Sequence, residues 1–292
     1  MLHYFEAARV GSWIGWIFNF GFGSVLFGVL SIERTIIVLF AFFLSTASVF
    51  VLNQYFDREE DQKNEIKSKL PVASGRITPR MTLIYFFSLV ILSLILVCIA
   101  NINVLSLFII YLGLSIAYST PPLRLKSVPI VDFIVSGIGA GFLPFIMGSG
   151  LSNKLISNIP TIILSAVPLI LIHCGSHIFQ AIGDYEVDRK NGVRTFVVKY
   201  GKKKGVIVAG FLFLITCFLP LIYIALRIIS YIHLFIYFIL FPLFIPIITR
   251  YVALIKNPST ETIFELNKTA RKYGLIALSA IWFYALIVKI VF

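Results

Sequence analysis

Two short stretches of this chain carry carboxylates at a spacing that can do chemistry. Asn53 to Asp61 reads NQYFDREED, and Gln180 to Asp188 reads QAIGDYEVD. Each is an amide, three residues, an aspartate, three residues and a second aspartate. The only other aspartate is Asp132. On a helix, positions i, i+4 and i+8 lie on one face. Asn53, Asp57 and Asp61 can therefore point one way, and so can Gln180, Asp184 and Asp188. Carboxylates spaced like this repel each other unless a cation sits between them. Oxygen-only ligands suit Mg²⁺ rather than zinc or copper. Mg²⁺ usually keeps waters and takes one or two carboxylates together with phosphate oxygens of a substrate. Two such clusters facing each other can hold Mg²⁺ ions bridged by a diphosphate.

The elements that must position these clusters are apolar helices. Hydrophobic residues make up 59% of the 292 and mean hydropathy is +0.96, more than a soluble core needs. Runs of about 20 apolar residues span a bilayer. The runs are continuous rather than alternating, which predicts helices and not barrel strands. Nine spans are predicted, near 10–31, 35–56, 81–100, 103–120, 130–150, 160–182, 206–226, 231–250 and 273–291, after a short lead-in over 1–9. Charged loops follow the second span (58–80) and the sixth (183–205), and a polar loop covers 151–159. No loop is long enough for a separate soluble domain, so residues 1–292 are read as one transmembrane domain. The expected fold is all-α, with nine helices around one central cavity and an aspartate cluster at the inner ends of helices 2 and 6.

The formal charge of +12 supports this layout and gives no reason to expect nucleic acid. With the N-terminus in the cytosol, only Arg34, Lys154, Arg227 and Lys289 of the 25 Lys and Arg fall outside. That bias predicts N-terminus in, C-terminus out, and both aspartate clusters opening to the cytosol. The basic loops also suit anionic lipid or diphosphate groups. Cys98, Cys174 and Cys217 lie inside apolar runs without a CxxC pair, so neither a disulfide framework nor a thiolate metal site is expected. The start of the chain has no signal-peptide pattern.

The repeated N/Q-x-x-x-D-x-x-x-D spacing in a nine-span chain resembles the UbiA family of intramembrane prenyltransferases. NQYFDREEDQKNE resembles the family's first aspartate motif. It departs at Gln54, where many members have Asp, and at Gln62, where Arg is common. KLPVASGRIT looks like a family loop ending in a Ser-Gly step, here Ser74-Gly75. YSTPPLRLK looks like the family's middle loop, and GDYEVDRKNGVRTFVVKYG resembles the second aspartate motif with its downstream Arg-Thr. The resemblance covers most of the chain. It implies Mg²⁺-dependent transfer of a polyprenyl group, geranyl or geranylgeranyl for example, from its diphosphate to an acceptor inside the bilayer. Metal and cations would neutralise the leaving diphosphate, and a buried cavity would keep water from a carbocation-like centre.

On this reading Asp57, Asp61, Asp184 and Asp188 hold Mg²⁺. Asn53 and Gln180 serve the metal shell or the diphosphate. Lys126 and Arg124 contact the diphosphate, and Tyr118 orients it. Arg58 and Arg194 are further diphosphate candidates, Arg194 favoured because Gly-Val-Arg-Thr fits the family pattern. A plain positive-inside loop explains the same bases. His173, His177 and Gln180 form a polar stripe at i, i+4, i+7, readable as cavity lining, helix–helix hydrogen bonds or acceptor contacts. Asn19 and Arg9 are candidates for the same cavity. LPVASG and YSTPPLRLK look most similar to members that prenylate aromatic or chlorophyll-type acceptors, so an aromatic quinone precursor is the favoured acceptor and a glycerol-phosphate ether the next. A cation-coupled transporter is the alternative, since buried carboxylates also mark ion pathways. Its site would lie near the midplane, whereas these clusters lie at one end.

Overall fold

A computed structural model describes residues 2–64, 67–152, 158–228 and 230–291. All regular elements among them are helices. In order these are α1 (Leu2–Ala8), α2 (Ile14–Phe27), α3 (Ile32–Asp61), α4 (Pro79–Ala100), α5 (Leu105–Ser119), α6 (Val131–Gly137), α7 (Leu143–Ser149) and α8 (Ile159–Gly183). They are followed by α9 (Tyr185–Lys190), α10 (Phe196–Tyr200), α11 (Lys202–Ala225), α12 (Leu234–Leu240), α13 (Ile245–Lys256) and α14 (Thr260–Val291). Lys154 and most of the expected loop 151–159 lie outside the described residues.

Seven of these segments are long and apolar enough to cross a membrane, and an eighth counts if the bent pair Leu2–Ser12 and Gly15–Phe27 is one span. The expected lead-in 1–9 is thus a helix, joined to α2 at a 63° bend. It is tied down by Gln54, whose side chain donates to the Ala7 carbonyl at 2.7 Å. The span expected over 231–250 runs from Leu234 to Lys256. A tight turn at Phe241–Phe244 interrupts it, with Pro242 at its start, where a missing N–H breaks the helical ladder. α14 begins well before the expected residue 273.

Local sequence sets the ends of the helices that matter. Ser31 caps α3 by accepting the Arg34 N–H at 3.2 Å, and Thr78 caps α4 just ahead of Pro79, both familiar start signals. α5 stops at Ser119, ahead of Pro121 and Pro122. One π-helical turn, Ile138–Phe142, joins α6 to α7.

α3 packs on α4, α2 on α7 and α8 on α11. Small residues allow the closest crossings. A Cβ on Gly148 would meet the Phe20 carbonyl at 1.9 Å, and one on Gly23 would meet the Phe145 carbonyl at 2.1 Å. Hydroxyls join the helices where the interior is polar: Ser45 and Ser93 lie 2.6 Å apart, Thr46 and Tyr111 3.1 Å. One apolar cluster includes Phe20, Phe42, Phe108 and Met147 on the first helices. A second includes Phe179, Val197, Ala209 and Leu254 on the later ones. Ile36, Phe40, Ile91, Phe211 and Leu214 project outward, the surface a bilayer would cover.

Candidate active site

The first motif does not leave the helix where the sequence suggested. α3 runs unbroken to Asp61, so Asn53, Asp57 and Asp61 share one helical face as their spacing requires. Both aspartates are 8% exposed. Asn53 donates to Asp57 Oδ2 at 2.9 Å and lies 3.5 Å from Ser119 Oγ, so it orients the carboxylate. The loop after α5 supplies the countercharge. Lys126 Nζ is in direct contact with Asp57 Oδ1. Arg124 Nη2 divides itself between Asp57 Oδ1 at 3.2 Å and Glu60 Oε1 at 2.6 Å. Burial opposes its charge, but Glu60 and Asp57 together hold the Arg124 guanidinium above its ordinary value.

The second motif is built differently. α8 ends at Gly183, and Asp184 joins it to α9 with φ −87° and ψ 0°. Glycine is a poor helix former, which explains a joint there, at the expected end of the sixth span, so the second motif straddles a joint rather than lying on one unbroken helix. Backbone hydrogen bonds still link the turns: Asp184 N–H donates to Gln180 O at 3.1 Å and Asp188 N–H to Asp184 O at 2.9 Å. Gln180 is exposed, unlike its counterpart Asn53.

A residue missed in the sequence brings the motifs together. Lys67 lies in the loop between α3 and α4, and its Nζ donates to Asp184 Oδ2 at 3.0 Å. Burial disfavours its ammonium. The charge and hydrogen bond of Asp184, with Asp61 and Asp188 nearby, nevertheless raise it above the ordinary lysine range. Lys126 reaches Asp61 and Asp188 electrostatically as well. Asp188 is pushed up to about 7, first by burial and then by the charge of Asp184. Four carboxylates from two distant stretches thus gather around two lysines. Lys67 has no distinguishing spacing within its lysine-rich run, and only its loop geometry identifies it.

Two other candidates, Arg58 and Arg194, make no polar contact with the motif aspartates among the described residues. Arg58 donates to Tyr55 O at 3.1 Å and to Glu59 at 3.3 Å, and Arg194 is exposed. Beside Arg194, Thr195 caps α10. Asp132, the unassigned aspartate, is fully buried and accepts the Phe196 N–H at 2.8 Å, tying the start of α6 to the segment after the second motif. Deeper in, Tyr118 Oη lies 3.4 Å from His177 Nε2. Asn19 donates to the Ala140 carbonyl in the π turn at 2.8 Å and lies 2.8 Å from His173 Nε2. The histidine stripe therefore joins helices and also lines the interior next to the motifs. Arg9 stacks 5.7 Å over Phe50, within electrostatic reach of Asp61.

Among the described residues no three His, Cys, Asp or Glu side chains form a metal cage by themselves. Paired carboxylates without a cage fit a Mg²⁺ ion that takes its remaining ligands from water and phosphate. Lys126 and Lys67 already place cationic groups against Asp57 and Asp184.

The UbiA prenyltransferase family model matches residues 16–288. The chain belongs to that family. Its expected nature as a prenyl-transferring membrane enzyme is borne out at the family level. A digeranylgeranylglyceryl phosphate synthase of Methanocaldococcus jannaschii is 31% identical over 89% of this chain and 85% of its own length. That of Methanobrevibacter smithii is 30% identical over 84% of both. A lycopene elongase/hydratase of Haloarcula japonica is 29% identical over 57% of this chain, which spans only 55% of that relative. Among solved structures, a UbiA homologue from Archaeoglobus fulgidus bound to GPP and Mg²⁺ aligns with TM-score 0.71 at 22% identity, covering 97% of this chain and 99% of its own. That likeness establishes the fold.

Proposed function

We propose that this protein transfers a prenyl group from its diphosphate to the free hydroxyl of a glycerol-phosphate ether lipid precursor, within the membrane. The observation that carries the reaction is the convergence of Asp57, Asp61, Asp184 and Asp188 around Lys67 and Lys126. The acceptor rests on the synthases named above, which align along most of their length. Their names favour a glyceryl phosphate over the aromatic acid that the loop sequences suggested. Family membership displaces the transporter alternative.

In this reading Asp57, Asp61, Asp184 and Asp188, with Asn53 beside them, hold Mg²⁺. A Mg²⁺ ion held by these residues would supply neutralising charge for the diphosphate leaving group. Lys126, Arg124 and Lys67 supply fixed positive charge to the same oxygens. Asn53 holds Asp57 in the orientation it already has, and Tyr118 and His177 bound the space below. The apolar helices exclude water while the C1–O bond to diphosphate breaks, the acceptor oxygen bonds to C1 and its hydroxyl proton passes to the departing diphosphate. Gln180, Arg58 and Arg194 retain only auxiliary roles toward the diphosphate. The fold is read as nine spans in one unit, counting the bent first pair and α14 with the seven clear segments. The N-terminus is in the cytosol, the C-terminus outside, and the site opens to the cytosol.

The test is turnover in detergent with geranylgeranyl diphosphate, with and without Mg²⁺, against geranylgeranylglyceryl phosphate, lycopene and 4-hydroxybenzoate. Mg²⁺-dependent product with the glyceryl phosphate, lost in Asp57→Ala and Asp184→Ala, is expected. Product with either other acceptor alone would overturn the acceptor assignment. Metal-independent turnover would overturn the role of the aspartates.

A further inference from the structure

Beside Arg124, a cavity of about 580 Å³ opens between the last turns of α3 and the end of α9, and Asp57 is not part of its lining. Four cations line it, Arg58, Lys63, Arg124 and Lys190, against two carboxylates, Glu59 and Glu60. Arg58 is occupied by Tyr55 and Glu59. Lys63 and Lys190 have no ion-pair partner among the described residues. One comes from just past the first aspartate motif and the other from just past the second. Arg124 is shared between this cavity and the aspartate site, and its Nε is buried without a hydrogen-bond partner. Its backbone sits at φ 34° and ψ 56°, a left-handed conformation that costs a non-glycine residue of order 1–3 kcal/mol and persists where surroundings enforce it. Two ammonium groups without an ion pair, beside Arg124, leave this opening with an excess of positive charge that suits an anion.

We infer that this cavity binds the phosphate monoester of the acceptor, with Lys63 and Lys190 as its principal contacts and Arg124 as the wall it shares with the diphosphate. The inference rests on the glycerol-phosphate reading above and specifies where that acceptor is recognised. The lining contains none of the four motif aspartates, so the metal and its diphosphate belong on the other side of Arg124. In a glycerol phosphate only a few bonds separate the phosphorus from the free hydroxyl. A phosphate held here therefore presents that hydroxyl past Arg124 toward Asp57. A hydrocarbon acceptor such as lycopene has no group for this cavity, so the site also decides between the two kinds of named relative.

The test uses the full-length protein in detergent with Lys63→Met/Lys190→Met. Both positions are exposed, which leaves the fold intact. Acceptor and prenyl diphosphate are varied in turn. The expected result is an acceptor KM raised about tenfold or more, with kcat and the prenyl diphosphate KM within about twofold. Inorganic phosphate should compete with the acceptor in the wild type and lose that competition in the variant. An unchanged acceptor KM would overturn the assignment. So would an equal rise in the prenyl diphosphate KM, or loss of inhibition by inorganic diphosphate alone, since either gives these cations to the other substrate or its product. A wild type that makes no product from the glyceryl phosphate would defeat the acceptor reading itself. A working wild type with an indifferent variant would defeat only the cavity.

Discussion

Asp57 and Asp184 hold the same place in the same spacing, yet they sit in different surroundings. Asp57 lies within the unbroken last turns of α3 and is buried, with its side chain 11% exposed against Lys126 at 12%. Asp184 sits at a helix joint, 36% exposed against Lys67 at 31%. The partner of Asp57 comes from the same half of the chain, whereas the partner of Asp184 crosses from the other half. One pair is part of the interior, and the other is a contact across the opening. Identical spacing therefore produces one buried ion pair and one half-exposed one.

The largest effect tests what the two share. Asp57→Ala and Asp184→Ala should each lower kcat by at least about 100-fold, and a variant retaining wild-type turnover would remove its motif from the reaction. Stability should separate them. Asp57→Asn leaves Lys126 buried without its partner, at a cost of about 3–5 kcal/mol. Asp184→Asn breaks a solvent-screened pair and should cost less than about 1 kcal/mol. Equal losses in thermal melts would erase the contrast. The leading amides make a smaller contrast. Asn53→Ala frees the Asp57 carboxylate and should reduce turnover about tenfold, whereas Gln180→Ala should change it by less than about twofold. A larger effect at Gln180 would reverse the comparison.

The smallest effect is a pH dependence. Asp188 is pushed up to about 7 by burial and by Asp184, from an ordinary aspartate value of 3.8. The native state therefore binds this proton more tightly than the unfolded chain does. Its stabilising contribution is complete below about pH 4 and is lost as pH rises through about 7. With divalent cations chelated, Asp188→Asn should gain in melting temperature relative to wild type between pH 5 and pH 8. A constant difference across that window would place Asp188 in an ordinary solvated setting.

Much of this was legible in the residues. Continuous apolar runs identify membrane helices because a bilayer demands internally bonded backbone, and the repeated amide–aspartate spacing marks both halves of the site. The break at Gly183 was legible as the end of the sixth span near 182, whereas the short helices α9 and α10 inside the expected loop 183–205 were not, because charged, glycine-interrupted sequence masks them. Lys67 and Glu60 were hidden for another reason. Each sits in a run of charge where neighbours of the same type look equivalent, and tertiary placement alone picks one. Arg58 and Arg194 are the converse: their spacing to the motifs looks meaningful, yet their side chains turn toward Tyr55 and outward. The long reach of α3 to Asp61 became visible only once Lys126 and Arg124 were seen to neutralise its end.

The separation between partners has a consequence for biosynthesis. Asp57 and Lys126 are 69 residues apart, and Lys67 and Asp184 are 117. At a translation rate of roughly 5–20 residues per second, Asp57 enters the nascent bundle about 3–14 s before the lysine that balances it is made. Lys67 waits about 6–23 s for Asp184. During that interval the third helix carries unbalanced acid at its end, which favours keeping that end at the aqueous boundary until the middle loop folds over it. The order of the chain thereby makes completion of the site a late event in membrane insertion, and a ribosome stalled before Asp184 would leave a partial bundle with its lysine latch open.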